Sequence, residues 1–179
     1  MDRTVIADLG DEIAPSSEGS FTDFYLREWR PVVGLGYVLT GNRWVAEELA
    51  QEAFLAAARQ WDRVSRMDKP AGWVRRVVTN RSVSWFRRLG AERRALARIG
   101  NPCVRRDLDV DAEIAEVWAA VRRLPKRQAQ VIALVYFDGT PVGEASEIMG
   151  CSRETARTHL KRGKKALAAI LGVEEGHHA

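Results

Sequence analysis

Apolar residues along this chain recur at spacings of three and four, and no two-residue alternation persists. That pattern predicts helices and no sheet. Ser20 can cap a helix running to about Thr40, with Phe21, Phe24, Tyr25, Val32, Leu35 and Leu39 as its apolar positions. Pro31 falls inside it and is expected to kink or split it. After a turn at Thr40-Gly41-Asn42, a second helix is predicted from Arg43 to about Trp61. It buries Val45, Leu49, Ala53 and Phe54, and it shows Glu47, Glu48, Gln51 and Glu52 on its other face. Asp62 to Lys69 reads as a polar loop. Pro70 suits a first helical turn, because its missing N–H costs nothing there. A helix rich in Trp, Val and Arg then runs to about Arg94.

Gly100-Asn-Pro102 breaks the chain, and the acidic stretch behind it is the natural linker. A short helix is predicted at 112–123, then a nearly all-round apolar one from Lys126 to Phe137, which belongs at the centre of its domain. Thr140-Pro141 reads as a cap followed by a proline at the first helical position. Gly150-Cys151 turns the chain, and Ser152 caps a last helix to about Leu171. The fold class expected is all-α. A tail at 1–19, a helical domain at 20–95, a linker at 96–111, a helix-turn-helix domain at 112–171 and a tail at 172–179 make up the chain. Domains this small bury limited cores and are marginal alone, so docking on a large partner is expected to support them.

Charge alters the picture through its distribution. The net charge is only +4, but residues 75–106 hold ten arginines against one acid, Glu92. Residues 107–118 hold five acids and no base, and residues 152–165 hold six bases against Glu154. Two basic blocks, each on a predicted helix, point to nucleic acid. Cys103 and Cys151 stand far apart with no C-x-x-C pair, which argues against a disulfide framework and a structural zinc site. No apolar run is long enough for a membrane span and no signal peptide opens the chain, so a cytoplasmic protein is expected.

Three segments carry candidate chemistry. In the last helix, Ala156, Leu160, Gly163 and Leu167 form one face that can lock it onto its domain. Arg157, Thr158, His159, Lys161 and Arg162 then point elsewhere, where a major groove would receive them. In the helix after Pro70, Trp73, Trp85 and Phe86 alternate with Arg75, Arg76, Arg81, Arg87 and Arg88 around Asn80. Cations that track a backbone, beside flat rings that take unstacked bases, suit single-stranded or opened DNA. In the second helix, Glu47, Glu48 and Glu52 lie beside Gln51 with no histidine or third ligand nearby, so they form a docking or solvated face rather than a catalytic one. No Gly-rich phosphate loop and no nucleophile–base set occurs, so neither an enzyme nor a cofactor is expected. His177 and His178 alone are weak metal ligands.

In this order and spacing, these segments resemble a bacterial RNA polymerase sigma factor of the extracytoplasmic-function group in the sigma-70 family. Ala46-Glu-Glu-Leu-Ala-Gln-Glu-Ala-Phe-Leu55 is similar to region 2.2, and Arg63 to Arg94 to regions 2.3 and 2.4. Leu124 to Phe137 is similar to region 4.1, and Cys151 to Arg162 to the recognition helix of region 4.2. Leu39-Thr-Gly41 and Trp61-Asp-Arg-Val64 are similar to actinobacterial members. The resemblance implies a specificity subunit of transcription initiation whose partners are core RNA polymerase (clamp helices and flap), promoter DNA and an anti-sigma factor. It implies polymerase docking by Glu48, Gln51, Glu52 and Phe54, and minus-35 reading by Arg157, Thr158, His159, Lys161 and Arg162. It implies that Arg66, Lys69, Trp73, Arg76, Asn80, Arg81, Arg87 and Arg88 open and hold the minus-ten element.

Departures from the family pattern are Glu144-Ala-Ser146, Thr155-Ala156 and Ser84, and Gly163 adds a helix-weakening residue. Smaller apolar groups there predict a loose region 4 core. The alternative reading is a stand-alone helix-turn-helix regulator, for which the acidic second helix has no use. A small nuclease, which lacks a metal or nucleophile set, and an adaptor for acidic proteins are further rivals.

Overall fold

The computed structural model describes residues 20–96 and 112–172, and every regular element among them is helical. Helix α1 spans Phe21–Thr40, and the Ser20 hydroxyl accepts from the Asp23 N–H at 3.3 Å to cap it. Pro31 does not split it. The turns on both sides are held by buried residues, Phe24 before and Val32 and Leu35 after, and that burial offsets a proline cost of about 3 kcal/mol. Asn42 caps α2 (Arg43–Ala58), which ends short of the predicted Trp61. The predicted polar loop begins instead with a single helical turn, α3 (Trp61–Val64). Trp61 packs on Phe21 and Phe24 and Val64 is buried, so an aromatic contact, invisible in the local polarity, orders the stretch. Helix α4 covers Pro70–Leu96. Helices α1, α2 and α4 enclose a core of Phe24, Val32, Leu49, Phe54, Val74 and Val78.

The C-terminal half comprises α5 (Ala112–Val121), α6 (Lys126–Ile132), α7 (Val142–Met149) and α8 (Arg153–Leu171). The apolar helix predicted to Phe137 changes character at Ala133. Residues Ala133–Phe137 form one π-helical turn, with the Asp138 N–H donating to the Ala133 carbonyl at 3.1 Å. Helix α7 starts at Val142, one residue later than predicted, with Pro141 in the cap position. Thr140 is not the cap, because its hydroxyl is engaged by Asp138. Ser152 does cap α8, accepting from the Thr155 N–H at 3.1 Å. Gly150, at φ 65°, supplies the left-handed residue that ends α7 and turns the chain into α8.

The predicted stripe of α8 is buried at Ala156 and Gly163, and half-buried Leu160 and Leu167 pack on Val121, Leu124, Ala129 and Ile132. This corrects the expectation of a loose core. A Cβ on Gly163 would lie 2.8 Å from Ile132 Cδ1 and 3.2 Å from Gln128 Cβ, so the glycine lets α6 and α8 approach closely.

The two halves do not wait for a large partner to bury their surfaces. Leu35, Val38 and Leu39 of α1 share one core with Val131, Leu134, Ala145, Ile148 and Met149 of the C-terminal half. Polar contacts follow the same seam. The Gln130 amide donates to the Thr79 carbonyl at 3.0 Å, and the Arg122 guanidinium donates to the Val38 carbonyl at 3.2 Å. No helix among the described residues is long and apolar enough to cross a membrane. The tails at 1–19 and 173–179 and nearly all of the expected 96–111 linker lie outside the described residues.

Candidate nucleic-acid interface

Helix α8 meets solvent with the face opposite its stripe. Arg157, Lys161 and Arg162 are exposed, as are Lys164 and Lys165, while Thr158 and His159 are half-buried. Arg157 lies 4.0 Å from Glu154, one turn before it, a weak pairing that leaves the guanidinium available. Arg157, Lys161 and Lys164 line a shallow recess floored by Leu160. All five predicted residues therefore lie on one helix, capped at its start and pinned along its back.

The predicted DNA face of the N-terminal half is only partly gathered. Lys69, Trp73 and Arg76 line one cavity of about 760 Å³ together with Arg63, Met67 and Asp68. Its far wall comes from α7 of the other half: Glu144, Glu147 and Ile148. Lys69 Nζ lies 3.0 Å from Glu144 and 3.9 Å from Glu147. The hydrogen bond that Lys69 donates to the Glu144 carboxylate raises the Lys69 pKa above its ordinary value. Arg66 and Asn80 are exposed. Arg81 is ion-paired with Glu52 of α2. The side chains of Arg87 and Arg88 lie outside those the structure describes.

Arg75 leaves the group of candidate DNA contacts altogether. Its guanidinium Nε bonds both oxygens of Asp138 at 2.8 Å, and Nη1 bonds Glu28 at 2.9 Å. The side chain is 13% exposed and that of Asp138 is 2% exposed. Burial opposes the charge on Arg75, but the bonds to Asp138 and Glu28 outweigh it, so the pKa lies above the ordinary value. A sequence neighbour of Arg76 is thus a cross-link between the halves, made possible by the π-helical turn that ends at Asp138.

The acidic face of α2 is corrected at one residue. Phe54 is 2% exposed and packs edge-on to Phe24 and Tyr25, so it supports the helix from behind and cannot meet a partner directly. The exposed line on α2 is Trp44, Glu48, Gln51 and Leu55, at spacings of four, three and four. Trp44 is 76% exposed and Leu55 57% exposed, an unusual expenditure of large apolar surface. Sequence reading missed both. The signal was available: extending the period from Glu48 and Gln51 by one turn each way reaches them. Among the described residues no group of acids, histidines and cysteines is arranged to hold a metal ion.

Comparison with known proteins follows the same division. Residues 24–92 match the family described as Sigma-70 region 2, and residues 114–167 match Sigma-70, region 4. The ECF RNA polymerase sigma factor SigW of Bacillus subtilis is 25% identical over 174 residues, covering 89% of this chain and 93% of the relative. SigM of Mycobacterium tuberculosis is 25% identical over 153 residues, covering 86% and 78%. Among solved structures, the sigma factor RpoE in complex with the anti-sigma factor NepR from Bartonella quintana has a similar fold. Its TM-score is 0.71 at 19% identity, covering 87% of this chain and 98% of that one. CnrH in complex with the cytosolic domain of CnrY gives a TM-score of 0.62 at 20% identity, covering 85% and 87%.

Proposed function

The chain belongs to the extracytoplasmic-function group of the sigma-70 family, and from that premise we propose how its surfaces divide the work of transcription initiation. It is a sigma factor that binds core RNA polymerase and directs it to promoters. The observation that carries this is the ordered pair of region 2 and region 4 segments, the second presenting a capped, back-pinned basic helix. A stand-alone regulator would need only that second segment.

On α8, Arg157 and the half-buried Thr158 and His159 meet base edges of the minus-35 element, while Lys161 and Arg162 hold phosphate. Phosphate contacts position and base contacts specify. On the N-terminal half, Lys69, Trp73 and Arg76 grip the displaced minus-ten strand from one cavity, and Arg66, Asn80 and Arg81 extend that face; Arg87 and Arg88 are assigned to the same strand from their place in the motif. A tryptophan between two cations suits an unstacked base. The stripe Trp44–Glu48–Gln51–Leu55 docks on the clamp helices, with Glu52 beside it and Phe54 bracing it from the core. Carboxylate and amide at the centre with apolar groups at both ends suit a basic, amphipathic partner helix. The chain has no catalysis of its own, acts in the cytoplasm, and has an anti-sigma protein as its regulator, as RpoE has in its complex with the anti-sigma factor NepR.

Run-off transcription with core polymerase on fragmented genomic DNA, followed by sequencing of start sites, tests the reading. Start sites that depend on the chain and share two upstream elements are expected. Transcription indifferent to its presence, with duplex binding intact, would establish the stand-alone regulator instead.

A further inference from the structure

Helix α8 carries a single acid among its six bases, Glu154. The inward stripe of the helix runs Ala156, Leu160, Gly163 and Leu167, at spacings of four, three and four. Glu154, Thr158, Lys161 and Lys165 repeat those spacings two positions earlier. At about 100° per residue that turns them to the opposite side of the helix. The Glu154 side chain is 82% exposed, and its pairing with Arg157 is long at 4.0 Å. Ser152 accepts from the Thr155 N–H at 3.1 Å, so the turn that presents Glu154 is capped and ordered. An acid in the first turn suits the helix dipole, but the dipole does not require it on the outward side. There the N-terminal residues of a groove-bound helix meet base edges, with phosphates along both flanks. A carboxylate in that place repels phosphate, and only a donor on a base edge offsets the repulsion.

The major groove offers two such donors, the N4 amino group of cytosine and the N6 amino group of adenine. Adenine sets its N7 acceptor beside N6, while guanine presents N7 and O6 and thymine presents O4, acceptors that a carboxylate repels. A carboxylate therefore selects cytosine. The Glu154 and Arg157 charges end 4.0 Å apart, close to the step of about 3.4 Å between stacked bases. Resting on the reading of α8 as the minus-35 helix, we propose that Glu154 is a specificity-determining residue. Its carboxylate accepts from N4 of a cytosine paired with, or stacked beside, the guanine that Arg157 reads. The two side chains form one reading unit of opposite charges, and Glu154 acts by rejecting the other bases as much as by holding cytosine.

Bar-coded duplexes randomised across the upstream region test this. They are transcribed by core polymerase with the full-length parent chain, Glu154→Ala or Glu154→Gln. Both substitutions remove the same charge, so a purely electrostatic or helix-dipole role gives them one profile. The parent chain is expected to prefer cytosine about tenfold at one position of the minus-35 element. Glu154→Ala abolishes that preference, and Glu154→Gln moves it to adenine, whose N6 and N7 match a carboxamide. Preferences at the other positions stay as they are. The same profile for both variants, a parallel change at every position, or a loss confined to the guanine read by Arg157 overturns the proposal. The same pool is also selected for duplex binding by the chain without polymerase. A cytosine preference that depends on Glu154 there, with no core-dependent transcripts, would overturn the sigma reading and leave the assignment of Glu154 standing.

Discussion

At the scale of single residues, neighbours in sequence have unlike roles. Arg75 and Arg76 look interchangeable in a basic helix, yet Arg75 is buried between Glu28 and Asp138 while Arg76 is exposed. Arg75→Ala leaves the buried Asp138 without its cation, while Glu28 keeps only its pairing with Arg27. It is expected to destabilise the fold by about 3 kcal/mol in urea denaturation, whereas Arg76→Ala changes stability by less than about 0.5 kcal/mol and weakens DNA binding. Gly163 makes a second contrast. Alanine there gains up to about 1 kcal/mol of helix propensity, but its methyl meets Ile132 and Gln128 in a packed core, where overpacking costs about 1–3 kcal/mol. A lower melting temperature for Gly163→Ala is expected, and a higher one would show that α6 yields. In sequence Gly163 reads only as a weak point. Its contact partner lies thirty-one positions away and no local pattern shows it.

At the scale of the element, caps and periods are legible because they are local. Ser20 and Ser152 cap α1 and α8 where the sequence puts them, each through a hydrogen bond to the N–H three residues on. Ser152→Ala is expected to cost about 1 kcal/mol, read as faster amide exchange in the first turn of α8. Weaker promoter binding should follow, since Arg157 stands in the turn directly after it. Arg157→Ala is expected to cost about 1–3 kcal/mol at particular bases, and Arg162→Ala to weaken binding on all sequences alike; competition among promoter variants separates them. Equal losses on every sequence for Arg157→Ala would remove base reading from that residue. Elements were misread where a distant contact overrides the local preference. Trp61 orders α3 from the aromatic cluster, and burial on both sides carries α1 through Pro31; the Thr140 cap is lost to a near neighbour instead, Asp138 two positions before it.

For the whole molecule, the surprise is the second core. Each half is small, and the limited core expected of it is completed by the other half rather than by an outside partner. Unfolding of the free chain in urea is therefore expected as one transition. Trp29 and Trp61 report from the N-terminal half and Trp118 from the C-terminal half, so two resolved midpoints would show that the seam contributes little. The order of helices, the basic face of α8 and the acidic face of α2 were determined by the sequence itself, because helical period, capping and charge act over a few residues. Only the tertiary structure decided that Trp44 and Leu55 stand exposed at the ends of the α2 stripe and that Arg75 joins the halves. It alone decided that Glu144 covers Lys69. Which side of a helix is spent on a neighbour depends on groups brought close only when the chain has folded, and no spacing along the sequence encodes that choice.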